Sequence, residues 1–216
     1  MTASLSRGLL LISGGIDSPV AGHLLKEQGL NLGAIHFSLE PFTDDAAEQK
    51  CRRAAAMLGI PEILVVPAGP LFAEITKRCS HKLYFVLSKR LMLRIAEAYA
   101  KEHGYDALVT GENLGQVSSQ TLPNLVAITK ASHLPVLRPL IAYDKVEIVD
   151  LAEEIGTFHI SKGPEICDVL GPKYPATAAT VEEVDAEEAK LPLDDLIRRG
   201  LEGIRPAPAL AVGAEA

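Results

Sequence analysis

The chain has 216 residues, 48% hydrophobic and 23% charged, which suits one large folded domain or one domain with a tail. A formal net charge of -7 argues against an unaided grip on RNA, because nucleic-acid binders carry a basic face; such affinity is expected from another domain or partner. No run approaches the ~18–20 apolar residues that span a bilayer, and no signal-like order opens the chain, so a cytoplasmic location is the default expectation.

The apolar run Leu9–Ile12 predicts a buried strand, and it ends in Ser13-Gly14-Gly15-Ile16-Asp17-Ser18. Two glycines before a helix free backbone amides for a phosphate. The spacing is neither G-x-x-x-x-G-K-[ST] nor G-x-G-x-x-G, and Asp17 or Ser18 also suits a plain helix cap. A helix is expected over Pro19–Gln28, closed by Gly29, then a strand over Leu32–Leu39. Asp44–Leu58 reads as a helix stopped by Gly59, and Ile63–Val66 as a short strand. Leu71–His103 is helical with a break near Cys79–Lys82, and Gly104 ends it.

Ala107–Thr110 predicts another strand, Gly115–Leu125 a polar loop and helix, and Pro135–Leu140 a last short strand. Lys145–Ile155 is a helix ended by Gly156, and an acidic helix lies around Glu182–Lys190. The Pro-, Ala- and Gly-rich tail from Leu191 to Ala216 is expected to be partly disordered, and fully so after Arg205. Strands alternating with helices imply an α/β fold: a doubly wound, mainly parallel sheet with helices on both faces. The domain boundaries expected are 1–190 for the folded domain and 191–216 for the tail. Such sheets bind ligands at the C-terminal strand ends, where SGGIDS, His36-Phe37-Ser38 and Thr110-Gly111-Glu112 fall.

SGGIDS resembles the loop of PP-loop ATP pyrophosphatases, which split ATP between the α and β phosphates. The chain adds Thr110-Gly111-Glu112-Asn113-Leu114-Gly115-Gln116-Val117-Ser118-Ser119-Gln120-Thr121-Leu122. Leu137-Arg138-Pro139-Leu140-Ile141-Ala142-Tyr143-Asp144-Lys145 and Pro164-Glu165-Ile166-Cys167 follow. This ordered set is similar to the PP-loop domain of the tRNA 4-thiouridine synthetase (tRNA sulfurtransferase) family, over about residues 7–190. The implied fold is adenine nucleotide alpha-hydrolase-like, and the implied processes are tRNA thiolation and thiamine biosynthesis.

The resemblance implies ATP across the strand ends. Backbone near Leu11, Ile12, His36 and Phe37 would meet the adenosine, and Ser13, Gly14, Gly15, Asp17 and Ser18 the pyrophosphate. Lys89, Gly111 and Gln120 match nucleotide-binding positions. Asp17 matches the acidic residue of the loop, acting through the Mg²⁺ that accompanies ATP, and Lys145 would counter charge developing on the phosphates. By residue type alone, Lys89 and Lys145 read as solvated helix lysines. Cys167 matches the catalytic cysteine that works with a persulfide donor, a cysteine desulfurase or rhodanese-type protein.

Cys51, Cys79 and Cys167 are three in number and widely spaced, with no C-x-x-C, so neither a disulfide framework nor a zinc ribbon is indicated. Cys51 and Cys79 read as structural. Some sulfur-transfer relatives hold an iron–sulfur cluster on three cysteines, which keeps Cys51, Cys79 and Cys167 as an alternative ligand set. The six histidines show no metal-ligand spacing.

Full-length family members carry an RNA-binding THUMP region, and some a rhodanese domain, neither of which is in this sequence. A separate THUMP-like protein is therefore expected to bring tRNA, and a homodimer is one assembly the family suggests. The expected reaction adenylates a carbonyl oxygen, C4 of a tRNA uridine, and replaces it with persulfide sulfur, releasing AMP and pyrophosphate. One alternative is a stand-alone PP-loop enzyme that adenylates or thiolates a small metabolite, which the acidic charge favours. Another is a non-catalytic nucleotide-binding partner subunit, which the intact Asp17, Lys145 and Cys167 disfavour.

Overall fold

Leu9 and Leu10 point to opposite sides of one strand and both are fully buried, so the sheet needs cover on both faces. A computed structural model describes residues 5–162 and 169–211. In chain order they form β1 (Arg7–Leu11), α1 (Asp17–Glu27), β2 (Asn31–Ser38), α2 (Ala46–Met57) and β3 (Glu62–Pro67). Then come α3 (Gly69–Arg78), a 3-10 turn at His81–Leu83, α4 (Tyr84–Glu102) and β4 (Ala107–Val109). A second 3-10 turn at Ser118–Gln120 leads to α5 (Leu122–Thr129), β5 (Val136–Leu137), α6 (Lys145–Glu154) and α7 (Phe158–Ser161). The described chain closes with α8 (Val181–Glu188), α9 (Leu193–Glu202) and β6 (Arg205–Pro208).

The sheet order is β5-β4-β1-β2-β3-β6, with every pairing parallel except β3 with β6. Leu10, Ala34, Val65 and Val109 share one face with Leu25 of α1 and Cys51, Ala54 and Ala55 of α2. Leu9, Ile35, Val66 and Leu108 share the other with Leu71 and Ile75 of α3 and Leu87, Leu91 and Ile95 of α4. Each such leucine or isoleucine contributes about 1.5–3 kcal/mol on burial. The doubly wound expectation therefore holds, and the helix stops at Gly29, Gly59, Gly104 and Gly156 all adopt positive φ.

The tail expectation fails over the described residues. The amphipathic helix α9 buries Leu196 against α4, and β6 adds an antiparallel edge strand in register with β3, Ile63 opposite Ala207. Pro206 and Pro208 belong to the composition that reads as a disordered tail, yet an edge strand tolerates proline because one side of its backbone has no neighbour to serve. Arg205 also reaches across to the buried Glu48 on α2. The acidic helix is held by charge: buried Arg90 donates to Glu188 at 2.6 Å and to Asp185 at 2.6 Å, and Arg94 adds a third contact at 2.7 Å.

Sheet order reverses between β1 and β4. Successive strands β1, β2 and β3 run one way from this point, and β4 and β5 the other. Loops leaving the C-terminal ends of β1 and β4 therefore diverge and leave a crevice.

Candidate active site

The SGGIDS loop leaves β1 at this crevice and is fixed by its own hydroxyls. The Ser13 amide donates to Ser18 Oγ at 2.8 Å, and the two serine Oγ atoms lie 3.1 Å apart. Among the described residues no side chain caps α1, so its first amides and positive dipole end remain at the loop. The Gly15 carbonyl accepts from Ser161 Oγ at 3.3 Å, which ties α7 to the loop.

The Thr110-Gly111-Glu112 turn leaves β4 and presses directly on this loop. A Cβ on Gly111 would stand 2.6 Å from the Ser18 backbone nitrogen, so only glycine allows the approach. The next residue, Glu112, is buried and accepts from Lys89 Nζ at 2.7 Å and Arg138 Nε at 2.7 Å. Burial pushes its carboxyl up, but the charges of Lys89 and Arg138 and their hydrogen bonds outweigh that and hold it at about 2. Lys89 reaches this point because α4 runs back toward β4, which puts its N-terminal half over the strand ends.

Asn113 then stitches the turn to the loop after β5. Its Nδ2 donates to the carbonyls of Leu140 at 2.8 Å and Tyr143 at 2.5 Å, and the Leu114 amide donates to Ile141 at 3.1 Å. That loop ends in Asp144, whose capping box with Glu147 starts α6 and sets Lys145 on its first turn. Lys145 Nζ consequently meets Asp17 Oδ1 at 2.6 Å and Gln116 Oε1 at 3.4 Å.

Three buried side-chain atoms among the described residues have no hydrogen-bond partner: Gln116 Nε2, Gln120 Oε1 and Arg138 Nη2. All three sit on the segments that follow β4 and β5. A polar group desolvated without a partner costs about 1–3 kcal/mol, and these are atoms that a polar ligand reaching the strand ends would satisfy.

The structure thus brings Ser13, Gly14, Gly15, Asp17, Ser18, Lys89, Gly111, Gln120 and Lys145 to one end of the sheet. Leu11, Ile12, His36 and Phe37, at the ends of β1 and β2, are all buried beneath. His36 Nδ1 lies 3.2 Å from the Ile12 carbonyl oxygen and 3.3 Å from Cys51 Sγ. Burial lowers the His36 pKa despite the Ile12 hydrogen bond, so the ring is neutral.

The cysteine ligand set is not brought together. Cys51 packs with α2 on one face of the sheet, whereas Cys79 packs on the other, 3.3 Å from the Glu187 carbonyl. A cluster spans only a few ångströms, so the core of the sheet separates these two thiols. Burial and then Glu48 raise the Cys51 pKa, and burial and then Glu187 push Cys79 up to about 11. The third cysteine, Cys167, lies outside the described residues.

The profile of the family described as thiamine biosynthesis protein (ThiI) matches residues 3–193. The chain belongs to the ThiI family. Its relatives include a protein named probable tRNA sulfurtransferase from Moorella thermoacetica, 43% identical over 204 residues, and one of the same name from Coxiella burnetii, 43% identical over 203. These alignments cover 92% and 91% of this chain and 52% of each relative, so the chain spans about half the length of the curated relatives it matches.

Among solved structures, a 4-thiouridine synthetase–RNA complex with bound ATP superposes with TM-score 0.89 at 37% identity, covering 95% of this chain and 55% of that one. NMN synthetase from Francisella tularensis, at TM-score 0.56 and 19% identity over 93% of this chain and 85% of that one, shares the fold alone.

Within this ThiI-family domain, Glu112, Asn113, Gln116 and Arg138 are the site residues that sequence reasoning left without roles. They stand in the quoted motifs, so the motif itself was the available signal. Their pairing was not readable, because Arg138 lies 26 residues beyond Glu112 and meets it only through β4–β5 pairing.

Proposed function

We propose that this chain carries the ATP-using chemistry of a tRNA sulfurtransferase. ATP lies across the C-terminal strand ends, with its adenosine near the backbone of Leu11, Ile12, His36 and Phe37 and its phosphates at the SGGIDS loop, Lys89 and Gln120. The observation that carries this reading is the 2.6 Å ion pair between Asp17 and Lys145, which sets an anion and a cation beside an uncapped helix start.

The Asp17 carboxylate, one-fifth exposed at the loop, is a hard oxygen donor suited to Mg²⁺. Bound with ATP, Mg²⁺ would neutralise part of the phosphate charge. Asp17 would orient that assembly, and the loop amides would receive the β and γ phosphates. The C4 oxygen of a tRNA uridine attacks the α phosphorus, the bond to the bridging oxygen breaks, and pyrophosphate leaves. Lys145 offsets the charge that builds on these oxygens.

The terminal sulfur of a persulfide then attacks C4, and AMP departs with the former carbonyl oxygen. Cys167 thiolate generates the persulfide or resolves the C4–S–S link that results; a disulfide left by resolution needs two electrons from a thiol reductant. A persulfide-carrying donor protein and a THUMP-like tRNA-binding partner complete the reaction, the latter because the chain carries a net charge of -7. That same charge favours a second reading, in which a small metabolite carries the carbonyl.

Pyrophosphate release from ATP, measured with tRNA, with tRNA plus a THUMP partner, with a small carbonyl acceptor and with none of these, tests the proposal. Release stimulated by tRNA supports it. Release stimulated only by a small acceptor favours the metabolite, and no release overturns catalysis.

A further inference from the structure

We propose that Glu112 is a positioning residue of the nucleotide site, aiming Lys89 at the anionic part of ATP; this rests on the ATP reading above. Its two carboxylate oxygens are used differently. Oε2 is anchored by Arg138 Nε at 2.7 Å and by Thr110 Oγ1 at 3.2 Å, both from strand ends. Oε1 is thereby presented to Lys89 Nζ at 2.7 Å.

The anchoring side chains are largely buried, with Glu112 8% and Arg138 12% exposed, whereas Lys89 is 26% exposed. An ammonium has three donors, and Glu112 engages one of them. A lysine has four rotatable bonds, so without such a brace its charge samples a wide arc; the carboxylate fixes it in one direction.

The group also carries a surplus charge. Among the described residues two cations share one carboxylate, and Arg138 Nη2 is buried without a partner. A buried net positive group is unfavourable unless an anion completes it, which is what a phosphate chain at the switch point would supply. Glu112 itself stays one residue beyond Gly111, the glycine that touches the phosphate loop, so any tilt of Glu112 is transmitted to Lys89 rather than to solvent.

The test is a double-mutant cycle on the affinity of this chain for ATP with Mg²⁺, read by titration calorimetry, with circular dichroism confirming the fold. Glu112→Gln is expected to weaken binding about tenfold or more, and Lys89→Met comparably. The double variant is expected to bind no more weakly than Lys89→Met alone. An equal loss from Glu112→Gln in both backgrounds, or none in the wild-type background, overturns the inference.

If Glu112→Gln does not fold, Glu112→Asp carries the same cycle, since it stays charged but falls short of Lys89. Absence of ATP binding by the wild-type chain overturns the ATP reading itself and this inference with it, whereas wild-type affinity in Lys89→Met overturns this inference alone. A merely structural carboxylate would lower affinity alike whether or not Lys89 is present.

Discussion

Asp17 and Lys145 stand 128 residues apart in the chain and form an ion pair at 2.6 Å where the first turns of α1 and α6 meet. Lys145 is about half exposed, so the pair adds little to stability, and its geometry serves chemistry better than folding. Replacing Lys145 by Met is expected to lower the rate of pyrophosphate release about 10²–10³-fold while ATP affinity changes far less. Quenched-flow measurement of pyrophosphate alongside calorimetric ATP binding checks this. A parallel loss of binding and rate would assign Lys145 to ground-state binding instead.

Glu112 links the site to acid stability. Its folded pKa of about 2 lies below the ordinary 4.5, so its contribution is complete above about pH 5 and is lost as pH falls through 4.5 toward 2. The shift corresponds to stabilisation on the order of 3 kcal/mol at neutral pH. Urea unfolding of the wild type and Glu112→Gln should show a gap at pH 7 that narrows steadily below about pH 4. A gap independent of pH would remove Glu112 from acid unfolding.

Cysteine reactivity should follow burial. Cys51 is fully buried with a raised pKa, and Cys79 is pushed up to about 11, so neither is a thiolate at neutral pH. Brief iodoacetamide treatment of the native chain at pH 8, read by peptide mass spectrometry, is expected to label Cys79 slowly and Cys51 only after unfolding. Rapid native labelling of Cys51 would contradict its buried place against the Ile12 carbonyl.

The β6 edge carries a further test. Glu48 is buried on α2 and paired with Arg205, which is itself half exposed, with Arg52 a weaker second partner at 3.9 Å. Arg205→Ala should therefore cost about 1 kcal/mol and lower Tm by about 2–4 °C in a thermal melt. An unchanged Tm would mean that Arg52 alone satisfies Glu48.

Most strands and helices were readable because apolar runs and helix-ending glycines coincide. Gly29 and Gly104 each close a helix at positive φ, where a side chain would be strained, and the break expected near Cys79–Lys82 lies between α3 and α4. The β6 strand was not readable, since Arg205-Pro206-Ala207-Pro208 is a strand only because β3 offers an unpaired edge. The motifs located Asp17, Gly111 and Lys145, but the work of Glu112 depends on Lys89 and Arg138 arriving from α4 and β5. Such charge networks are tertiary facts, and residue types alone favour solvated lysines. Separation of Cys51 from Cys79 is likewise a matter of which face of the sheet each helix covers.

Mass spectrometry of tRNA nucleosides tests the central claim most directly. Cells lacking this protein are complemented with the wild-type chain or with Lys145→Met, and their 4-thiouridine is quantified. 4-Thiouridine is expected to be restored by the wild type and absent with Lys145→Met at equal protein level. Equal 4-thiouridine in the two, or in the uncomplemented cells, would contradict it.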